Sequence, residues 1–141
     1  FEDNVIDTNG EFGDPKHVAN YTFGYGFDNW LFNWNVNYVG SVSNEQSYFD
    51  RIGVNTATYR GQTVDVVLRS DSVMYHNMSV GYDFEDEGVQ LTAGIANVFD
   101  EAPPRVTTLN LGEVNSVGNS SFYSQYDSYG RRLFLNVSYS F

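Results

Sequence analysis

The segment that decides the fold is Gly130-Arg-Arg-Leu-Phe-Leu-Asn-Val-Ser-Tyr-Ser-Phe141. Its apolar positions recur at every second residue: Leu133, Leu135, Val137, Tyr139 and Phe141. The positions between them are polar, except for Phe134. Alternation with a period of two predicts a β-strand that has one apolar and one polar face. Since soluble domains usually end in a polar tail, an apolar face that continues to Phe141 indicates that the surrounding solvent is lipid.

The same alternation occurs in four earlier segments. The sequence predicts β-strands over residues 17–27, 30–40, 73–84 and 89–98, followed by the final strand over residues 128–141. In the second strand, Trp30, Phe32 and Trp34 alternate with asparagines, which are depleted in ordinary strands. This pattern indicates a sheet with one apolar and one wet face. A soluble β-sandwich also has such faces, so that alternative stays open at this point.

The connections between the predicted strands alternate in length. Residues 28–29 and 85–88 form short turns, whereas residues 41–72 and 99–127 form long loops. Within the first long loop, residues 63–68 are predicted to continue the strand over 73–84. Short turns on one side and long loops on the other are typical of outer-membrane barrels. A strand of about ten residues, at roughly 3.3 Å per residue and a tilt near 45°, spans roughly 23 Å, close to the apolar band of about 25 Å in such barrels.

Composition excludes several classes of protein. The formal net charge of the 141 residues is −11, and no basic patch is present that could neutralise the phosphates of a nucleic acid. No apolar run is long enough for a transmembrane helix. The chain has no cysteine, which excludes disulfides and thiolate metal sites. The acidic residues gather between the alternating segments, as expected for water-exposed connections.

No arrangement of residues indicates catalysis, a cofactor or a metal. The acidic segment Asp83–Gly88 resembles the start of a calcium loop, but the twelfth position is Gly94 rather than glutamate. His17 and His76 have no second ligand at a suitable spacing. No Ser/His/Asp grouping indicates a nucleophile. We therefore expect a protein that is not an enzyme.

The candidates for ligand contact are an aromatic and charged cluster in the first long loop. They are Tyr48, Asp50, Arg51, Tyr59 and Arg60. Such side chains could meet a ligand at the mouth of a barrel. The competing interpretation is that they pack within the loop or contact lipopolysaccharide.

Several motifs resemble a known family. Asn97-Val-Phe-Asp100 followed by Pro103-Pro104, and later Gly130-Arg131 and the terminal Phe141, are similar to the C-terminal end of a TonB-dependent outer-membrane receptor. The segment Pro15–Asn20 before an aromatic strand is also similar to that family. The resemblance implies a transmembrane antiparallel β-barrel of 22 strands that closes around an N-terminal plug. This chain would supply about the last five strands, without the plug and without the TonB box.

The resemblance also implies a function and partners. We expect part of a receptor for active uptake of a scarce ligand, such as a siderophore, cobalamin or a saccharide, in the outer membrane of a Gram-negative bacterium. Expected partners are the remainder of the receptor, outer-membrane lipid and lipopolysaccharide, TonB through the part that is absent here, and the barrel assembly machinery. Tyr139 and Phe141 would form the aromatic signal that this machinery reads. The alternative is a passive porin-like or adhesin-like barrel without energy coupling.

Overall fold

A computed structural model describes residues 7–54, 56–110, 113–120 and 125–140. In chain order, the strands and the helix are β1 (Val18–Phe27), β2 (Trp30–Val39), β3 (Val42–Ser43), α1 (Glu45–Ile52), β4 (Thr56–Tyr59), β5 (Gln62–Asp65), β6 (Arg69–Ser70), β7 (Val73–Phe84), β8 (Val89–Ala96), β9 (Val106–Asn110), β10 (Glu113–Ser120) and β11 (Arg132–Tyr139).

The described residues fall into two compact units. The loop unit takes them from Phe1–Val18, Val39–Val73 and Pro103–Tyr126. The sheet unit takes them from Ala19–Tyr38, Met74–Ala102 and Asp127–Phe141.

The sheet unit is built on one antiparallel sheet of five strands. Their order in the sheet is β1-β2-β7-β8-β11, which is also their order along the chain. The prediction of an all-β fold with five antiparallel strands is confirmed. The sheet is open, with β1 and β11 at its two edges. Among the described residues, no helix is both long and apolar enough to cross a membrane.

The register of the sheet keeps apolar residues on one face and polar residues on the other. Val80 pairs with Ala93, which pairs with Leu135 on the far side. In the next row, Gly81 pairs with Thr92, and Thr92 pairs with Asn136. Because side chains alternate with a period of two, a slip of one residue would exchange the two faces completely. The hydrophobic pattern therefore fixes this register.

Phe134 is the exception to the alternation in β11, and its partner explains it. Phe134 pairs with Gly94 of β8. Its ring occupies the space that a side chain at position 94 would fill. An aromatic ring that covers a cross-strand glycine stabilises a sheet at the point where the glycine leaves it unpacked.

Backbone conformation explains where the predicted and observed strand ends differ. β8 ends at Ala96, two residues before the predicted end, because Asn97 adopts a left-handed conformation with φ 51°. β11 begins at Arg132 rather than residue 128, following Gly130 with φ 71°. Neither conformation can continue a strand.

The short turns all lie at one end of the sheet. Asp28 has φ 47° in the turn between β1 and β2, and Asn29 Nδ2 donates to the carbonyl of Asp83 at 2.9 Å. The Ser140 N–H donates to the Gly88 carbonyl at 2.9 Å, which brings the end of β11 to the same place. The long connections therefore leave the strands at the opposite end.

The loop unit shows that the long connections have structure of their own. β3 pairs with β6, β4 with β5, and β9 with β10. Its core contains Val42, Tyr48, Leu68 and Val106, each at most 6% exposed. The predicted loops over residues 41–72 and 99–127 thus include three small antiparallel pairs and the helix α1, within the described residues.

The prediction that residues 63–68 continue the following strand was wrong. β5 instead folds back onto β4, with Thr58 paired to Thr63. The turn between them is Arg60-Gly61, with φ 51° and 78°. Two successive positive φ values are typical of a tight hairpin turn whose twist matches that of the strands.

Candidate functional site: the uncharged face of the sheet

The most unusual surface of the sheet unit is its apolar face, which we call the uncharged face. It consists of alternate strand residues: Ala19, Tyr21, Phe23, Tyr25, Phe27, Trp30, Phe32, Trp34, Val36, Tyr38, Met74, His76, Met78, Val80, Tyr82, Phe84, Val89, Leu91, Ala93, Ile95, Leu133, Leu135, Val137 and Tyr139. None of these residues is Asp, Glu, Lys or Arg. Phe23 is 58% exposed and Leu135 is 68% exposed. Soluble monomers rarely expose contiguous apolar patches of more than a few hundred Å², so an apolar surface that extends over five strands is unusual for such a protein.

Aromatic contacts hold the large side chains of this face in place. The rings of Phe23 and Trp34 lie 5.6 Å apart, across β1 and β2. The Trp30 and Tyr82 rings meet edge to face at 4.7 Å, and Tyr82 meets Phe84 at 4.6 Å. Such offset and edge-to-face pairs are the favoured geometries of aromatic rings. Contacts within the face therefore position its large side chains, many of which are exposed.

His76 belongs to this aromatic layer. The Trp34 Nε1–H donates to His76 Nδ1 at 3.1 Å, and the two rings stack at 5.7 Å. The Phe99 ring meets His76 edge-on at 5.0 Å. His76 thus gives the tryptophan N–H a partner on a face that offers few acceptors.

Amide side chains cross the polar face of the sheet. This amide ladder consists of Asn20, Asn37, Asn35, Asn77 and Asn97. Asn35 Nδ2 donates to Asn20 Oδ1 at 3.1 Å, and Asn77 Nδ2 donates to Asn35 Oδ1 at 3.0 Å. The side-chain amides of Asn20, Asn35, Asn37 and Asn77 bond to one another, which explains how β2 tolerates several asparagines.

Asn97 ends the ladder and closes a tight loop. It is 0% exposed, and its N–H donates to Asn77 Oδ1 at 2.9 Å. Its side chain donates to the Glu101 carbonyl at 2.9 Å and accepts from the Glu101 N–H at 2.8 Å. The side chain therefore holds residues 97–101 in one conformation. Sequence analysis included Asn97 only as part of a family motif and missed this role.

Asp100 connects that loop to the start of β11. Its Oδ1 accepts from the Arg131 N–H at 2.8 Å, and its Oδ2 lies 3.8 Å from Arg131 Nη2. A Cβ at Gly130 would lie 3.0 Å from the same carboxylate. The motif residues Asn97, Asp100 and Gly130 thus have structural roles at the end of the sheet.

The ligand-contact candidates are only partly brought together. Tyr48 is 2% exposed, and its hydroxyl donates to the Thr56 carbonyl at 3.3 Å. This residue is therefore part of the core of the loop unit, where a ligand cannot reach it. Asp50 is exposed and accepts from Gln46 Nε2 at 2.9 Å. The side chain of Arg51 lies outside the described residues.

Tyr59 and Arg60 form an exposed pair at the tip of the β4–β5 hairpin. The Arg60 guanidinium carbon lies 5.3 Å from the Tyr59 ring centre, within the range of a cation–π contact. Tyr59 is 48% exposed. These two side chains are the candidates that the structure leaves accessible together.

The C-terminal aromatic prediction can be placed only in part. Tyr139 lies on the uncharged face, pairs with Val89 and is 64% exposed. Phe141 lies outside the described residues.

Nothing in the described part of the chain resembles a metal centre. No group of three or more His, Asp and Glu side chains there could hold an ion. The acidic segment Glu85–Glu87 forms a short 3₁₀ turn that ends at Gly88, with φ 63°.

We compared the chain with protein-family models, with curated protein sequences and with solved structures, and none of them matches it.

Proposed function

We propose that this chain is the C-terminal part of the β-barrel of a TonB-dependent outer-membrane receptor that imports a scarce ligand. The observation that carries the proposal is the uncharged face, together with strands long enough to cross an apolar layer. In water this face would expose Phe23, Trp34 and Leu135 at a cost of roughly 25 cal/mol per Å². In a bilayer the same face would contact apolar acyl chains, and this cost would not arise.

The open edges of the sheet support the proposed partner. β1 and β11 each have one side without a strand neighbour in the described sheet. In lipid, each unpaired backbone group costs several kcal/mol, so transmembrane sheets close. The remainder of the receptor would supply the other strands of a 22-stranded barrel and the plug.

The two ends of the sheet suggest an orientation. The short turns at one end carry Asp28 and Glu85–Glu87, and outer-membrane barrels keep their short turns on the periplasmic side. Such barrels carry their long loops on the outer side. Tyr59 and Arg60, the accessible pair on a hairpin tip, would meet the ligand there.

The second candidate is a passive porin-like or adhesin-like barrel. Asn97, Asp100 and Gly130 stabilise the end of the sheet. Because a passive barrel would need the same stabilisation, these motif residues are equally compatible with it. The family motifs do not by themselves require energy coupling.

Uptake by cells that produce the full-length protein tests the two candidates. Labelled ferric siderophores, cobalamin and oligosaccharides would be supplied to cells with and without TonB. We expect one ligand class to accumulate only when TonB is present. Accumulation that continues without TonB would support a passive pore. Recovery of the protein in the aqueous fraction without detergent would contradict both candidates in favour of a soluble sandwich.

A further inference from the structure

The tip of the β4–β5 hairpin carries a residue that is unusual for its backbone conformation. Arg60 and Gly61 form the turn, with φ 51° and 78°. Such a turn favours glycine, which has no Cβ, or asparagine and aspartate, whose short side chains can hydrogen-bond locally. Among the described residues, the other non-glycine residues with positive φ are Asp28, Asn97 and Asp100. Arg60 is therefore the exception, and residues held in disfavoured backbone conformations are concentrated at functional sites.

The positive charge of Arg60 has no carboxylate partner within the described part of the chain. The ion pairs there join Arg69 to Glu45, at 2.7 Å, and two further arginines to aspartates. The acidic residue of the hairpin is Asp65, which pairs with Thr56 at the end away from the turn. Since the whole sequence carries a net charge of −11, the exposed guanidinium at the tip is a local reversal of charge.

Tyr59 and Gln62 extend the surface around this cation. The Arg60 guanidinium carbon lies 5.3 Å from the centre of the Tyr59 ring. A guanidinium that stacks on a ring is held in place while its N–H groups can still donate. Tyr59 pairs with Gln62 across the hairpin, so the phenol and the amide lie on the same face. All three side chains belong to exposed residues, and together they offer a positioned cation, an aromatic ring and an amide.

We propose that this tip binds a uronic acid unit of an oligosaccharide. Arg60 would hold the carboxylate, because a guanidinium pairs with a carboxylate through two parallel hydrogen bonds. The C–H groups on one side of the sugar ring would pack against Tyr59, and a hydroxyl would bond to the Gln62 amide, which both donates and accepts. Lipopolysaccharide fits less well, since its several phosphates need several cations and the hairpin carries one. This inference rests on the proposed function and names the class of its ligand.

Calorimetric titration of the full-length protein in detergent tests the tip. The probes are trisaccharides of galacturonate, glucuronate and mannuronate, each compared with its methyl ester, which has the same rings without the charge. The wild type should bind one acid about tenfold more tightly than its ester, as expected for a charge-assisted, bidentate pair. Arg60→Asn should abolish that preference. Because asparagine is favoured in this turn, the variant keeps the hairpin, and its loss of preference does not come from unfolding.

Three further variants separate the roles of the side chains. Tyr59→Ala should weaken the acid and the ester by about fivefold or more, because both sugars lose the ring against which they pack. Arg60→Lys keeps the charge without the planar fork and should retain only part of the preference. The matched control is Arg69→Gln, which removes an exposed arginine that is already paired with Glu45. It should bind both probes as the wild type does.

Several results would overturn the inference. They are equal affinity of the wild type for every acid and its ester, a preference that survives Arg60→Asn, and an equal loss in Arg69→Gln. Displacement of the acid by an equal concentration of inorganic phosphate would identify a general anion site instead. Binding of lipopolysaccharide that depends on Arg60, without binding of any uronate, would assign the tip to the membrane surface.

Failure of the proposed function would appear differently. Arg60-dependent binding of a uronate by a protein whose uptake does not require TonB would contradict the importer and leave the inference standing. Uptake of a neutral ligand that requires TonB and is unchanged in Arg60→Asn would contradict the inference alone.

Discussion

The loop unit and the sheet unit use the same kinds of apolar residue in opposite ways. The loop unit hides them: Tyr48 and Val106 are each 2% exposed. The sheet unit displays them, with Phe23 58% and Leu135 68% exposed. Local apolar content is therefore a poor guide to whether a segment is buried or exposed. What separates the two units is whether the large apolar side chains are buried inside the unit or lie on its surface.

The comparison predicts which substitutions are tolerated in each unit, and the largest expected effect lies in the loop unit. Tyr48→Ala should destabilise it by about 3–5 kcal/mol, as for other large aromatic residues truncated in a core. Hydrogen exchange of the β4 and β5 amides measures this locally. The control Tyr59→Ala, at an exposed position, should change the free energy by less than about 0.5 kcal/mol. Equal effects of the two substitutions would show that the loop unit has no core of its own.

The second prediction concerns the solvent of the sheet unit. Leu135→Arg places a charge in the middle of the uncharged face and should cost about 2–4 kcal/mol if that face meets the centre of a bilayer. The urea midpoint of the full-length protein in lipid vesicles is the measurement. Asn136→Arg, one residue further along β11 and on the polar face, is the matched control and should be much milder. A milder effect at position 135 than at position 136 would contradict the lipid assignment.

A third prediction separates two contributions of Asn97 to stability, its side-chain hydrogen bonds and its left-handed backbone conformation. Asn97→Ala removes both side-chain hydrogen bonds to Glu101 and should cost about 1–3 kcal/mol. Asn97→Gly removes the same bonds but accepts positive φ, so it should be milder by roughly 1 kcal/mol. Thermal or urea unfolding of both variants gives the difference. If alanine and glycine were equivalent, the left-handed backbone at this position would carry no strain.

The smallest expected effect is a pH dependence confined to the loop unit. Burial raises the pKa of the Tyr48 hydroxyl above its usual value of 10.0. Burial also raises the pKa of Tyr126. Because the folded state holds these protons more tightly than the unfolded state, stability is complete below pH 10.0 and falls as the pH rises through the folded-state values. Tyr48→Phe should flatten the alkaline fall in β4–β5 hydrogen-exchange protection; an unchanged slope would exclude Tyr48 as a source.

The sequence predicted the sheet well because its signal is local. Alternation along β2 or β11 can be read from one strand, and the register then follows from matching the faces of neighbours. The loop unit was not predicted, since β3 and β6 have two residues each and carry no readable period. Likewise, the burial of Tyr48 depends on contacts that no spacing along the chain reveals.

The sequence did not show which residues of the ligand-contact cluster are exposed and which are buried. Tyr59 and Arg60 were included with Tyr48 because aromatic and charged residues cluster in the sequence. Only pairing across the Arg60-Gly61 turn separates exposed from buried members of that cluster. A glycine after Arg60 was the one available signal of a hairpin. The amide ladder could not be predicted either, because its side chains lie on three different strands and the spacing along one strand does not show which of them meet.

The hydrogen bond from the Arg131 N–H to Asp100 fixes the two ends of a long connection. Residues 101–130 leave the sheet and return to it at two points that one carboxylate ties together at 2.8 Å. Since loop length adds little entropic cost once its ends are fixed, segments inserted or exchanged between them leave the strands on either side undisturbed. The sheet thus does not depend on the sequence of this connection, and an engineer could graft a foreign loop between Pro104 and Tyr126 without redesigning β8 or β11.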